Sequence, residues 1–157
     1  MITIEIDRHK RFSDFESLLS LLRAAFEFMD GRIDPPSSLL KLDVEKLRQK
    51  ASDEVLVLAW DKIQLAGCVF AKPTRHSLYV GKLAVALEYR GLGISRRLIA
   101  ACDSIAIERN LPSVELETRV ELTENQSLFE YLGFERIEEN AHEGFDRPTS
   151  YLYRKIP

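Results

Sequence analysis

Cysteine and histidine are scarce in this sequence, which has two cysteines and three histidines among 157 residues. No CxxC pattern or cysteine–histidine cluster occurs, and the histidines lie far apart along the chain. Zinc sites and disulfide frameworks require such spacings, so we expect neither a metal site nor a disulfide. Cys68 lies in a strand-like run and Cys102 on the apolar face of a predicted helix, so both are expected to be buried free thiols.

Long apolar runs are also lacking. The longest, residues 55–60, is far shorter than the roughly 20 residues that span a bilayer. The amino terminus carries Glu5 and Asp7 where a secretory signal would need an apolar core. A net charge of −3 argues against a general affinity for nucleic acid or for an anionic membrane. We therefore expect a cytoplasmic protein with neither of these partners.

Internal repeats and low-complexity segments are absent as well. Hydrophobic residues make up 45% of the chain and charged residues 30%, which is ordinary for a globular protein. A chain of this length buries about two-thirds of its unfolded surface. We therefore predict a single domain over residues 1–157.

Four segments show the apolar spacing of helices. The first has an apolar face from Phe15 to Met29 and follows a capping-box pattern formed by Ser13 and Glu16. A second, shorter helix is predicted over residues 43–51.

A third helix is predicted over residues 94–109. A fourth follows a second capping-box pattern, Thr123 with Gln126, and ends at Gly133, the usual left-handed stop of a helix. Both follow a predicted strand, which is the alternation expected of an α/β chain.

Strand patterns occupy the remaining ordered segments. They cover residues 2–6, 55–60, 67–72, 78–86, 114–118, 134–139 and 149–155. Tyr79, Gly81, Leu83 and Val85 recur at every second position, which predicts one face against a core. The predicted order of elements is βααβββαβαββ.

The stretch YRGLGISRRL, residues 89–98, joins the fourth strand to the third helix through Gly91 and Gly93. Such a turn presents unpaired backbone N–H groups and the positive end of the helix dipole at one place, which suits an anion. A dinucleotide-binding fingerprint would need glycine or alanine at Arg96, and no P-loop pattern is present.

This turn resembles a family signature. Residues 90–95, RGLGIS, are similar to the Arg/Gln-x-x-Gly-x-Gly/Ala signature of the GNAT superfamily of acyl-CoA-dependent N-acyltransferases. Residues 128–134, LFEYLGF, resemble its late helix motif Leu-Tyr-x-x-Leu-Gly-Phe, and the element order resembles the family's throughout. The resemblance implies a mixed, mostly antiparallel twisted sheet of six to seven strands in the α/β (α+β) class. Flanking helices and splayed strands at the cofactor site are also implied.

The resemblance further implies that acetyl-CoA is bound along this unit. The pyrophosphate would meet the amides of residues 92–95, with Arg90 adding charge and Ser95 departing from the family's Gly/Ala. Arg96 and Arg97 either reach the 3′-phosphate or are solvated. The pantetheine would lie in the strand gap, with a backbone N–H near Val85 stabilising an oxyanion. The implied cofactor-binding residues are Leu83, Ala84, Val85, Arg90, Gly91, Leu92, Gly93, Ile94, Ser95, Arg96, Asn125 and Phe129.

The catalytic groups are less defined by the sequence. Glu117 is the first candidate for the general base, because the resemblance places residues of its strand in the acceptor cleft; Glu115 and His76 are alternatives. The two glutamates could equally form a solvated strand face.

Phe129 stands where many family members have a tyrosine that protonates the thiolate. Tyr131 is about 200° further round the helix and should face elsewhere. Either water protonates the thiolate, or the protein binds acyl-CoA without much catalysis.

The resulting interpretation is an N-acetyltransferase that acylates a primary amine of a small molecule by direct transfer. A protein lysine or amino terminus is an alternative acceptor. Two alternative functions are a non-catalytic acyl-CoA-binding or sensing module and a plain interaction domain.

Residues 29–38, including Asp30 and Asp34, are expected to form one wall of the acceptor site. Residues 142–147 would form another wall or a contact in a homodimer.

Overall fold

The computed structural model describes residues 1–157 and contains a seven-stranded mixed sheet with four α-helices. The strands are β1 Ile2–Ile6, β2 Val55–Asp61, β3 Gln64–Pro73, β4 Leu78–Val85, β5 Val114–Arg119, β6 Glu135–Asn140 and β7 Ser150–Lys155. The helices are α1 Phe15–Phe26, α2 Val44–Asp53, α3 Ile94–Glu108 and α4 Thr123–Tyr131. The order confirms the predicted βααβββαβαββ. No helix combines the length and the apolar composition needed to cross a bilayer.

The strands follow one another in the sheet in the order β1-β2-β3-β4-β5-β7-β6. Every neighbouring pair is antiparallel except β4 and β5, which are parallel. This confirms the predicted mixed, mostly antiparallel sheet. The crossover between the two parallel strands is made by α3, as a parallel connection requires.

β4 and β5 pair only where they begin. Leu78 lies opposite Val114 and Tyr79 opposite Glu115, and no further pair follows. β5 instead pairs with β7 along its full length. From Val80 onward, the edge of β4 that faces β5 therefore has no strand partner, and a gap opens in the sheet. The gap confirms the predicted splayed strands.

Each face of the sheet carries its own hydrophobic cluster. The cluster on one face contains Leu98 of α3 and Phe129 of α4. The cluster on the other face contains Leu18 of α1 and Leu47 of α2. The gap between β4 and β5 is thus bordered by α3 and α4 on one side of the sheet and by α1 and α2 on the other.

β4 carries a β-bulge at Lys82. Its pairing register with β3 shifts between Cys68 and Phe70, which leaves one extra residue on β4. Lys82 adopts a φ of 55°, in the left-handed region. An extra residue of this kind reverses the face that each subsequent side chain occupies.

The predicted core face of β4 is therefore wrong before the bulge. Leu78 and Val80 are buried in the cluster beneath α3, whereas Tyr79 lies outside it. Beyond the bulge, Leu83 and Val85 pack against that cluster. A strict period of two residues cannot hold across a bulge, so the four residues of the pattern do not share one face.

Both predicted capping boxes are wrong, although the helices that follow them are present. Asp14 caps α1, because its carboxylate accepts a hydrogen bond from the N–H of Ser17 at 3.2 Å, so Ser13 is not the cap. Thr123 is already helical, and the side chain of Gln126 donates to backbone carbonyls of the preceding segment. The predicted stop at Gly133 is confirmed by its φ of 99°.

The two cysteines are buried free thiols, as predicted. Burial raises the pKa of Cys68 and that of Cys102 to about 12, because the core disfavours a thiolate. The folded protein is therefore expected to resist a colorimetric thiol reagent at pH 8, and denaturant should release both thiols. Stoichiometric reaction of the folded protein at the rate of a free thiol would contradict this burial.

Candidate functional site

A groove of about 1070 Å³ passes between β4 and β5 and is lined from both sides of the sheet. We call one end the turn end, formed by residues 90–96 with α4. We call the other the loop end, formed by residues of the α1–α2 connection with β5. The predicted cofactor residues that line the groove are Leu83, Ala84, Val85, Arg90, Gly91, Gly93, Ile94, Ser95, Arg96, Asn125 and Phe129. The side chain of Leu92 is 62% exposed and lies outside the groove.

The turn end contains backbone N–H groups that make no hydrogen bond within the chain. No N–H group from Gly91 to Arg96 has a partner within the chain, and the first bond of α3 is made by Arg97 to the carbonyl of Gly93. Gly91 and Gly93 have φ values of 81° and 75°, so glycine is the residue that adopts this turn without strain. These amides and the start of α3 together suit an anionic ligand.

The arginines of the turn differ in their contacts. Arg90 donates to the carbonyl of Ala25 at 3.4 Å, and Arg96 lies 4.8 Å from the centre of the Tyr131 ring. Both line the groove. Arg97 donates to the carbonyl of Ile2 at 2.9 Å and does not line it. Arg90 and Arg96 are thus the cations of the turn end.

Phe129 is mainly a core residue. Its ring packs against those of Phe134 and Tyr153 at centroid distances of 6.1 and 6.3 Å, and its edge reaches the groove. Tyr131 is 73% exposed but also lines the groove, with Arg96 over its ring, so the prediction that it faces elsewhere is wrong. Phe129 itself has no hydroxyl and therefore no proton to donate at this position.

At the loop end, two hydroxyl groups hold the carboxylate of Glu117. Tyr79 donates to Oε1 at 3.3 Å and Ser150 donates to Oε2 at 3.0 Å. Burial, followed by the charge of Glu117, raises the pKa of Tyr79 above its ordinary value. Tyr79 therefore remains a protonated donor at neutral pH, and the carboxylate is held in one orientation without a cation beside it.

The two alternative bases lie elsewhere. Glu115 forms an ion pair with Arg154 at 3.4 Å, and His76 is exposed in the connection between β3 and β4. Neither lines the groove. Among the three carboxylate and imidazole candidates, the fold therefore brings only Glu117 to the gap between the strands.

The α1–α2 connection is tied across the loop end. Arg32 pairs with Glu124 of α4 at 2.9 Å, and Asp34 pairs with Arg147 at 3.0 Å. Arg119 of β5 donates to the carbonyl of residue 35 at 2.6 Å. The two segments predicted as walls of the acceptor site thus touch each other, and the charge of Asp34 is already partnered.

Several groove residues were missed by the sequence analysis. They are Lys50, Tyr79, Lys82, His142 and Ser150. Tyr79 was assigned to the core face of β4, because the isolated glycine next to the bulge, Gly81, was not recognised as a signal for it. The others come from three separate elements, so no spacing in the sequence connects them. His142 lies within the predicted wall of residues 142–147, but no role was assigned to its side chain.

Comparison with known proteins decides the family. The sequence model of the Acetyltransferase (GNAT) family matches residues 15–134, which include α1, both sides of the β4–β5 gap and α4. The chain belongs to the GNAT acetyltransferase family. Its signature turn and its late helix motif are the two segments that border the turn end of the groove.

Individual GNAT relatives match this chain either over part of its length or at low sequence identity. N-alpha-acetyltransferase 30 of Schizosaccharomyces pombe is 33% identical over 86 residues, which cover 52% of this chain and 57% of that protein. The chain thus spans little more than half of that relative. The PaiA N-acetyltransferase of Thermoplasma acidophilum, solved in complex with coenzyme A, has a TM-score of 0.80 at 17% identity, covering 100% of this chain and 99% of that one. A GNAT acetyltransferase of Elizabethkingia anophelis with acetyl-CoA bound has a TM-score of 0.67 at 18% identity, covering 99% and 98%. These structures show the shared fold.

The groove has the features that an acyl-CoA would require of a GNAT fold. The free amides of residues 91–96 match a pyrophosphate, and Arg90 and Arg96 supply positive charge beside them. The unpaired edge of β4 offers backbone groups to an extended, amide-containing arm such as pantetheine. The residues present therefore fit the cosubstrate of the family from the turn end to the gap.

Proposed function

We propose that this GNAT protein transfers an acetyl group from acetyl-CoA to a primary amine of a small molecule. The proposal rests on one observation: two features with different chemistry lie in the same groove. Unpartnered amides lie at the turn end, and a hydroxyl-held carboxylate, Glu117, lies at the loop end. The first suits the diphosphate of the donor, and the second suits the ammonium of the acceptor.

In this proposal the turn and β4 position the donor. Acetyl-CoA supplies an activated acyl group as a thioester. The amides of residues 91–96 bind its diphosphate, and the backbone of residues 83–85 holds its arm in the gap. A backbone N–H near Val85 stabilises the negative charge that develops on the carbonyl oxygen. Holding both reactants in one groove provides most of the rate gain in a direct transfer.

Glu117 provides the acid–base step. An aliphatic ammonium with a pKa near 10 has little free amine at neutral pH, so a carboxylate must take its proton, directly or through water. The amine nitrogen then forms a bond to the acyl carbon, the carbon–sulfur bond breaks and the electron pair remains on sulfur. Phe129 has no proton to give. Water therefore protonates the thiolate, which is undemanding because thiol pKa values lie near 8.5.

A second candidate acceptor is the amino terminus of a protein. The S. pombe relative, named as an N-alpha-acetyltransferase, favours it. A peptide would have to enter at the loop end, beneath the segment tied by Arg32 and Asp34. Small amines and short peptides therefore belong in the same assay.

Two linked measurements test the proposal. Acetyl-CoA at about 100 times its dissociation constant should stabilise the protein by roughly 2.7 kcal/mol in thermal unfolding. A panel of small amines and peptides should then show amine-dependent release of free thiol. Stabilisation without release from any amine would identify a binding or sensing module. Absence of stabilisation would contradict acyl-CoA binding altogether.

A further inference from the structure

Most of the cationic side chains at the loop end have a hydrogen-bond or ion-pair partner within the chain. Lys50 pairs with Glu54 at 2.8 Å, and Arg32 pairs with Glu124 at 2.9 Å. Arg119 is engaged by carbonyl oxygens of the α1–α2 connection. Each of these three groove-lining cations thus has an acceptor within the chain.

Lys82 differs from them. It lines the groove and is half-buried, yet its Nζ makes no hydrogen bond and no ion pair within the chain. Burial, followed by the nearby charge of Lys50, lowers the pKa of Lys82, and the charge of Glu54 offsets only part of this. A partly buried ammonium without an ion-pair partner would be stabilised by binding an anion.

Glu117 is the negatively charged side chain that, like Lys82, forms no ion pair at the loop end. Its two oxygens accept hydrogen bonds from the neutral hydroxyls of Tyr79 and Ser150, and no cation pairs with it. Lys82 and Glu117 do not pair with each other. Both line the same groove, Lys82 at the bulge of β4 and Glu117 on β5. The loop end therefore contains one positive and one negative side chain, neither of which forms an ion pair within the chain.

We infer that the acceptor amine also carries a carboxylate, so that Glu117 binds its ammonium and Lys82 binds its carboxylate. An amino acid has this pair of charges on one small skeleton. The inference rests on the proposed transfer, because Glu117 keeps its role there, and it adds Lys82 as the residue that determines the substrate class. A diamine or an uncharged amine would leave Lys82 without a counterion in the groove.

Matched substrates test this inference. Free amino acids are compared with their carboxamides in thiol-release kinetics with acetyl-CoA. We expect the carboxylates to have the lower KM, although the amides have the larger fraction of free amine at neutral pH. Lys82→Met keeps the length of the side chain and removes its charge. It should raise KM for the carboxylate about 10- to 100-fold, as expected for a lost charged hydrogen bond, and leave KM for the amide within about twofold.

Lys72→Met is the matched control, because Lys72 is an exposed strand lysine of β3 outside the groove. It should change neither KM. Equal use of amino acids and carboxamides, with no response to Lys82→Met, would overturn the inference while leaving the transferase proposal intact. Thermal stabilisation of the CoA-loaded protein by the same amino acids gives a second measurement. Loss of that stabilisation in Lys82→Met supports the carboxylate site even without turnover, and unchanged stabilisation contradicts it.

Discussion

The variant Gly93→Val is expected to lose the thermal stabilisation by acetyl-CoA while keeping its secondary structure. Gly93 adopts a φ of 75°, and a β-branched residue resists that conformation at a cost of about 1–2 kcal/mol. A valine would relax toward negative φ and turn the free amides of residues 93–95 away from a common point. The roughly 2.7 kcal/mol gained at about 100 times the dissociation constant should therefore disappear.

Gly144→Val is the control for backbone strain. Gly144 has a φ of 84° in the connection between β6 and β7, and a Cβ there would meet nothing within 4 Å, as at Gly93. Both variants should lose a similar amount of intrinsic stability, but Gly144→Val should still be stabilised by acetyl-CoA. Full stabilisation of Gly93→Val would show that the turn is not the diphosphate site.

The variant Glu117→Gln is expected to lower kcat/KM about 10²- to 10⁴-fold, the range typical of a lost general base. The amide keeps the size of the carboxylate and can still accept a hydrogen bond from Tyr79, but it cannot take a proton. The loss should shrink as the pH approaches the pKa of the amine, because the substrate then supplies its own free base. Stabilisation by acetyl-CoA should be unchanged, since the turn end is untouched.

Glu115→Gln provides the comparison for Glu117→Gln. Glu115 lies two residues away on the same strand but pairs with Arg154 outside the groove. Its substitution should leave kcat/KM within about twofold of the wild type, because the Glu115 carboxylate does not line the groove. An equal loss in both variants would indicate a general effect on β5, and no loss in Glu117→Gln would exclude it as the base.

The order of elements could be predicted because each element carries a local signal. The apolar face of α1, the alternation along β5 and the glycines before α3 are all properties of neighbouring residues. The signature turn is local as well, so the turn end followed from residues 90–95. The cap of α1 was predicted wrongly as Ser13, because the adjacent Asp14 is equally suited by residue type to cap a helix. The geometry of the chain entering α1 selects Asp14.

The loop end could not be predicted in the same way. The bulge at Lys82 depends on how β4 pairs with β3, and a register shift has no fixed signature in one strand. The ion pair between Asp34 and Arg147 joins residues 113 positions apart, and neither side chain predicts the other. Tyr79 and Ser150 become partners of Glu117 only through the order of the sheet.

Phe129 shows how fold and chemistry separate. The Phe129 ring packs against Phe134 and Tyr153, so the fold does not require a hydroxyl group at this position. The consequence is only the loss of a proton donor to a thiolate, which is a weakly basic leaving group because thiol pKa values lie near 8.5. In the proposed transfer, positioning and Glu117 therefore contribute more than a general acid.

A crystal structure of the protein with coenzyme A tests the central claim most directly. The account predicts diphosphate oxygens within about 3.2 Å of backbone nitrogens between Gly91 and Arg96, with the arm of the ligand along β4 in the gap. Diphosphate density elsewhere, with these amides left in water, would contradict it.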